Sequence, residues 1–273
     1  MTPERLAVIR RREAALVQLS RIMSKREGEI MNAGIPPLSS IPEYVGSVFI
    51  DRFSAVPLRA IFKLHFPAVT QVIDLTYGRG RFWRWDWPFL LIGVDHDGGI
   101  THVVEPTVFY HLDSCSPEQV VAACYRSKHQ PEVAVIDPPF LHGAPQSGQS
   151  TSSTGMHVDY HSVRRSEDVM QNYRGMLATA WELGCRGVVV KCKDTIASNK
   201  YVPIEAMVTL ELSRAGFALV DKAVFVPATA LPIDPKWRNI AHFRRQESYY
   251  LVGRRIPTTT PRRPHEHLSS RLP

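Results

Sequence analysis

Val133-Ala134-Val135-Ile136-Asp137-Pro138-Pro139-Phe140 consists of four apolar residues, an acid, two prolines and an aromatic ring. The apolar run reads as a strand buried on both faces. Two prolines cannot extend a hydrogen-bonded ladder, so the strand stops abruptly and the chain leaves in a fixed direction. Asp-Pro also starts ordinary turns, but here it ends a buried strand, and the stiffness holds a carboxylate, a free carbonyl and a ring in one geometry. Working outward, six more β-rich runs stand at Val72 to Leu75, Leu90 to Asp95, Val108 to Asp113, Gly187 to Lys191, Ala218 to Val226 and Ser248 to Val252. Helical segments lie between them. Ser116-Pro117-Glu118 reads as a helix cap. Ser166 reads as another, opening a helix whose Val169, Tyr173, Met176, Leu177, Ala180 and Trp181 form a stripe ending at Gly184. Pro203 to Gly216 carries Ile204, Met207, Val208 and Leu212 at helical spacing. Seven strands alternating with helices predict an α/β fold, a mostly parallel sheet covered on both faces.

In such a sheet, ligands bind at the carboxyl ends of the strands near the switch in strand order. The first of these strands runs into Asp74-Leu75-Thr76-Tyr77-Gly78-Arg79-Gly80, whose two glycines suit a tight turn approached closely by a ligand. The next ends in Asp95, where an acid can accept hydrogen bonds from ribose hydroxyls. Together they favour an adenosine-type cofactor. The sequence has no G-x-x-x-x-G-K-[ST] loop, which argues against P-loop ATP hydrolysis.

With these motifs, residues 45 to 255 resemble the S-adenosylmethionine-dependent DNA amino-methyltransferases, which act on adenine N6 or cytosine N4. Asp137, Pro138, Pro139 and Phe140 match that family's hallmark as D-P-P-F and, by the resemblance, form its catalytic corner. The resemblance also implies a Rossmann-like methyltransferase sheet. It assigns Asp74, Thr76, Tyr77, Gly78 and Gly80 to the cofactor turn, Asp95 and its neighbour His96 to the ribose, and Asp113 to the region of the cofactor adenine. Ser54 to His65 looks like the segment beside the methionine end of the cofactor. Gly187 to Asp194 and His242 to Val252 look like later motifs. The expected activity is methyl transfer from S-adenosyl-L-methionine to an exocyclic amine of DNA, with adenine N6 favoured. RNA or a protein lysine is the runner-up acceptor, and an inactive nucleic-acid-binding module the alternative from another class. Two departures stand out. The stretch between Gly80 and Phe89 is too short for the usual helix, and no separate target-recognition domain is visible.

The long connection from Leu141 to Arg165, rich in Ser and Gly, is expected to be either a substrate-closing loop or a disordered segment. Arg164, Arg165, Arg244 and Arg245 are candidate phosphate contacts, set against the plainer reading of solvated charges.

Composition bounds the rest. The 273 residues, 44% hydrophobic and 22% charged, exclude a fibrous or wholly disordered chain. The formal charge of +7 sits at the ends: residues 1 to 34 carry +3 and residues 253 to 273 carry +4, leaving the middle neutral. A basic balance points to nucleic acid through those ends, or through an uneven distribution of charge within the neutral middle. Residues 1 to 34 read as an amphipathic helix, 35 to 255 as the catalytic domain and 256 to 273 as a disordered basic tail. Whether the helix docks in cis or forms a homodimer is left open. No apolar run is long enough to span a bilayer and no secretion signal opens the chain, so the expected location is cytoplasmic. Cys115, Cys124, Cys185 and Cys192 include no C-x-x-C pair, which predicts reduced thiols and no metal.

Overall fold

A computed structural model describes residues 46–97, 99–138, 166–197, 200–228 and 247–257. The chain divides into two units, Met1–Pro42 and Glu43–Pro273, and every described residue belongs to the second. The expected helix at 1–34 and nearly all of the tail at 256–273 lie outside the described residues. No described helix is long and apolar enough to cross a membrane.

The elements in chain order are β1 (Val48–Asp51), α1 (Ala55–His65), β2 (Gln71–Asp74), a single 3-10 turn (Arg81–Trp83), β3 (Leu90–Asp95), β4 (Val108–His111), α2 (Pro117–Arg126), β5 (Val133–Ile136), α3 (Ser166–Glu182), β6 (Gly187–Cys192), β7 (Thr195–Ala197), β8 (Lys200–Val202), α4 (Ile204–Arg214), β9 (Phe217–Pro227) and β10 (Ser248–Arg255). Eight strands form one sheet in the order β1-β9-β10-β6-β5-β2-β3-β4, and β7 and β8 make a separate antiparallel hairpin. All the neighbours from β4 through to β6 run parallel. β10 alone is antiparallel to both of its neighbours. The chain builds outward from β2 through β3 to β4, then crosses back to lay β5 on the other side of β2. The order therefore reverses between β2 and β5, where a crevice opens at the carboxyl ends of strands.

All seven expected strands are present. The sheet adds an eighth, β1, whose residues pair with β9 in register Val48↔Val224. β4 stops at His111, so Asp113 lies two residues beyond the strand it was expected to end.

Side chains alternate between the two faces of the sheet. Ala134 and Ile136 of β5 join one core with Val120 of α2, Tyr173 and Leu177 of α3, and Val208 and Leu212 of α4. Val133 and Val135 join the opposite core with Leu58 and Phe62 of α1. This second face has no helix between β2 and β3, and aromatic rings fill the volume instead. Phe62, Trp83, Trp87 and Phe89 pack with centroids 5.1–6.2 Å apart, the spacing of favourable edge and offset contacts.

Pro117 opens α2 with Glu118 in its first turn, as expected, but the Ser116 hydroxyl makes no cap. It turns to Asp113 Oδ2 at 3.3 Å. All four cysteines are free, and Cys124, Cys185 and Cys192 are buried.

Candidate active site

At the end of β2 the Asp74 side chain turns into the protein. Its Oδ1 accepts the backbone N–H of Thr76 at 2.8 Å and the Thr76 hydroxyl at 3.1 Å, and its Oδ2 accepts the indole N–H of Trp83 at 2.7 Å. Burial pushes this carboxyl up to about 7, against the pull of those hydrogen bonds. Asp74 therefore builds the turn rather than lining its outer surface. Thr76 Oγ1 also accepts the backbone N–H of Asp137 at 2.7 Å. A continuous chain of donors thus runs from β5 through Thr76 to β2.

Gly78 and Gly80 both adopt left-handed backbone, at φ 50° and 72°, which favours glycine. Their surroundings differ. A Cβ on Gly80 would lie 2.5 Å from the Val104 carbonyl oxygen, whereas one on Gly78 would meet nothing closer than 3.8 Å. Gly78 leaves the open side of the turn, and Gly80 packs it down. Tyr77 is 3% exposed, lies against Gly80 and Gly93, and donates its hydroxyl to Val104 O at 2.7 Å. The Tyr77 side chain belongs to the core.

At the end of β3, Asp95 Oδ2 accepts the Gly78 N–H at 2.9 Å and Oδ1 accepts that of Asp97 at 3.0 Å. His96 sits alongside, its Nδ1 3.4 Å from Asp95 Oδ1. Asp113 serves its own loop, accepting the Cys115 N–H at 2.9 Å.

Asp137 follows directly on β5. Its Oδ2 forms an ion pair with Lys191 Nζ of β6 at 2.9 Å, while Oδ1 is shielded from water and has no hydrogen-bond partner. Burial raises the Asp137 pKa, and Lys191 opposes the rise. The Lys191 ammonium also faces the Phe82 ring, 4.9 Å from its centroid. Tyr173 donates to the Lys191 carbonyl at 2.9 Å, and Tyr250 to the Ser54 carbonyl.

Thr76, Gly78, Asp95 and Asp137 therefore stand together at the carboxyl ends of β2, β3 and β5 with Asp74 buried beneath them, while Tyr77 and Asp113 have other local work. Pro138 is buried. Pro139, Phe140, Arg164, Arg165, Arg244 and Arg245 lie outside the described residues, as does the 141–165 connection. Lys191, Phe82 and Trp83 lie in stretches the resemblance covers, but none had been assigned a role beside Asp137 or Asp74. The signal for Lys191 was available, since a charge inside Gly187-Val188-Val189-Val190-Lys191-Cys192 needs a buried partner. Among the described residues, no group of three or more His, Cys, Asp or Glu stands ready to hold a metal ion.

No protein-family model and no curated protein matches the chain. Similar solved structures include a candidate DNA modification methylase of Thermus thermophilus complexed with S-adenosyl-L-methionine. It is 16% identical, with 58% of this chain and 60% of that one covered, at a TM-score of 0.32. Another is a candidate DNA modification methyltransferase encoded within an E. coli prophage, at 14% identity, 68% and 47% coverage and a TM-score of 0.39. A SAM-dependent methyltransferase of Methanosarcina mazei is 7% identical, over 72% of this chain and 97% of that one, with a TM-score of 0.37. The chain spans less than two thirds of the length of the first two. With TM-scores below 0.5, these likenesses add nothing to what strand order and site geometry establish.

Proposed function

We propose that the protein is an S-adenosylmethionine-dependent methyltransferase acting on an exocyclic amino group of a DNA base, with adenine N6 favoured. The observation that carries this reading is Asp137. It stands at the carboxyl end of β5, across the switch in strand order from the glycine turn, with one carboxylate oxygen dry and unpaired. A buried acceptor without a partner calls for an explanation, and a substrate donor supplies one.

The crevice fits the cofactor. The backbone at Gly78 is open on its outer side, and the Asp95 carboxylate beside it offers acceptors to a ribose diol. S-adenosyl-L-methionine, when bound, supplies an electrophilic sulfonium methyl. The residues of the chain do the remaining work. An exocyclic amine is a poor nucleophile because its lone pair is delocalised into the ring. Asp137 Oδ1 and the Pro138 carbonyl each accept one N–H, which turns the nitrogen toward tetrahedral geometry and frees the lone pair. Rate acceleration then comes from positioning and from a fixed negative charge in a dry site. Phe140 stacks on the base, at about 1–3 kcal/mol, after the base leaves the duplex at a cost of a few kcal/mol. Arg164, Arg165, Arg244 and Arg245 remain the proposed phosphate contacts.

The test incubates purified protein with labelled cofactor and, in parallel, duplex DNA, total RNA and a protein extract, followed by nucleoside mass analysis. Methylated adenine from DNA is expected. Label in RNA or protein alone overturns the acceptor assignment. Asp137→Ala should abolish turnover, by roughly a thousandfold or more, and leave cofactor binding measured by calorimetry unchanged.

A further inference from the structure

β6 is buried along its whole length, yet its fifth residue is a lysine. An ammonium in such a strand is costly unless paired, and a pair of apolar residues would commonly hold the core as well. The pairing itself is one-sided. Lys191 Nζ takes Oδ2 of Asp137 at 2.9 Å, and Oδ1 is left without a hydrogen bond. The Phe82 ring covers the same ammonium, and the Lys191 backbone is anchored by the Tyr173 hydroxyl. One carboxylate oxygen is held by the lysine, and the other is buried without a partner.

We propose that Lys191 is a positioning residue for Asp137: its ammonium grips Oδ2, fixes the rotation of the carboxylate, keeps it ionised, and so reserves Oδ1 for the N–H of the acceptor amine. This rests on the methyltransferase reading above. The groups facing Asp137 are Lys191 and Cys192 from β6, Asp74 from β2, Tyr173 from α3 and Tyr250 from β10. Burial pushes the Cys192 thiol and both tyrosine hydroxyls far up, so they stay neutral. Asp74 disfavours a second negative charge. Lys191 supplies the cation of this set. Without it, the buried carboxyl takes up a proton at higher pH and offers the amine a donor where it needs an acceptor.

The test uses the full chain with 13C-labelled aspartate carboxyls, comparing wild type, Lys191→Met and Lys191→Arg, with Asp137→Asn to assign the resonance. In Lys191→Met, the Asp137 titration and the acid limb of the activity–pH profile should both move up by about one pH unit or more. Its kcat should fall about a hundredfold while S-adenosylmethionine binding stays within about twofold. Lys191→Arg keeps the charge and should recover most of the rate and the wild-type limb. An unmoved Asp137 titration in folded Lys191→Met overturns the proposal, as does a cofactor affinity that falls in step with kcat. Should Lys191→Met fail to fold, Lys191→Gln, which keeps a donor and drops the charge, gives the same reading. If no acceptor is methylated, the proposed function fails and the positioning role with it; if an acceptor is methylated and the acid limb stays put in Lys191→Met, the positioning role alone fails.

Discussion

Gly78 and Gly80 share a left-handed backbone and differ in what a side chain would strike, so the same substitution should separate them. Gly78→Ala makes only an ordinary contact, 3.8 Å from the Thr76 carbonyl oxygen, and bears the backbone cost, about 1–2 kcal/mol. Gly80→Ala drives a methyl to 2.5 Å from a backbone oxygen and should cost about 3 kcal/mol or more. Thermal or urea unfolding of the two variants measures the difference. The glycine pair, the acid of β3 and the corner at Asp137 were all legible because each is a local signal: a residue type at the end of a strand. What stayed hidden was direction. Asp74 and Tyr77 sit in the expected turn, but the turn rotates their side chains into the protein, and no spacing in the sequence records that rotation. For Lys191 the need for a buried partner was legible, but the identity of that partner was not, since Asp137 lies 54 residues away.

At the scale of elements, the seven strands were readable because buried parallel strands are nearly unbroken apolar runs. β1 was not readable. It is four residues long, with Val48 58% and Ile50 71% exposed, and its pairing with β9 is set by a register more than 170 residues away. The β7–β8 hairpin was also missed, and it explains how α4 begins. The residue before that helix is Pro203, which has no side-chain acceptor. The hairpin returns the chain so that Asp194, buried, accepts the Glu205 N–H at 2.9 Å and the Tyr201 hydroxyl at 2.5 Å. A helix cap is thus borrowed from eleven residues upstream. Asp194→Ala should destabilise the protein by about 1–3 kcal/mol in chemical denaturation, and Asp194→Asn by less, because it retains an acceptor.

Across the whole molecule, the two ends of the central strands carry acids of opposite character. At the carboxyl ends, Asp74 is held near 7 by burial. At the amino ends, Glu132 accepts the Thr70 N–H and hydroxyl at 2.8 Å and Arg186 Nε at 2.9 Å, and these bonds, the Thr70 backbone first, draw its pKa down. The signs follow by linkage. Stability from Asp74 is complete below the ordinary carboxylate range and is lost as pH rises through about 7. Stability from Glu132 is present above that range and is lost as pH falls through its depressed value. The melting-temperature gap between wild type and Asp74→Asn should therefore narrow from pH 5 to 8. The stability difference from Glu132→Gln, about 1 kcal/mol at neutral pH, should narrow from pH 7 to 3. Charge counting by segment was less faithful. Of the five arginines after residue 252, Arg254 donates to the His65 carbonyl at 2.5 Å. Arg255 donates to the Trp181 carbonyl at 2.9 Å and lies 3.7 Å over the Trp181 ring. Both are spent on holding the body together, so the basic excess open to a phosphate backbone is smaller than the sequence total.

The Thr76 hydroxyl gives to Asp74 and takes from the main chain at Asp137. One oxygen atom is thus shared by the end of β2 and the start of the Asp137 corner. Neither the end of β2 nor the backbone at Asp137 can be repositioned without breaking a bond to that oxygen, so the two strand ends are tied into one unit.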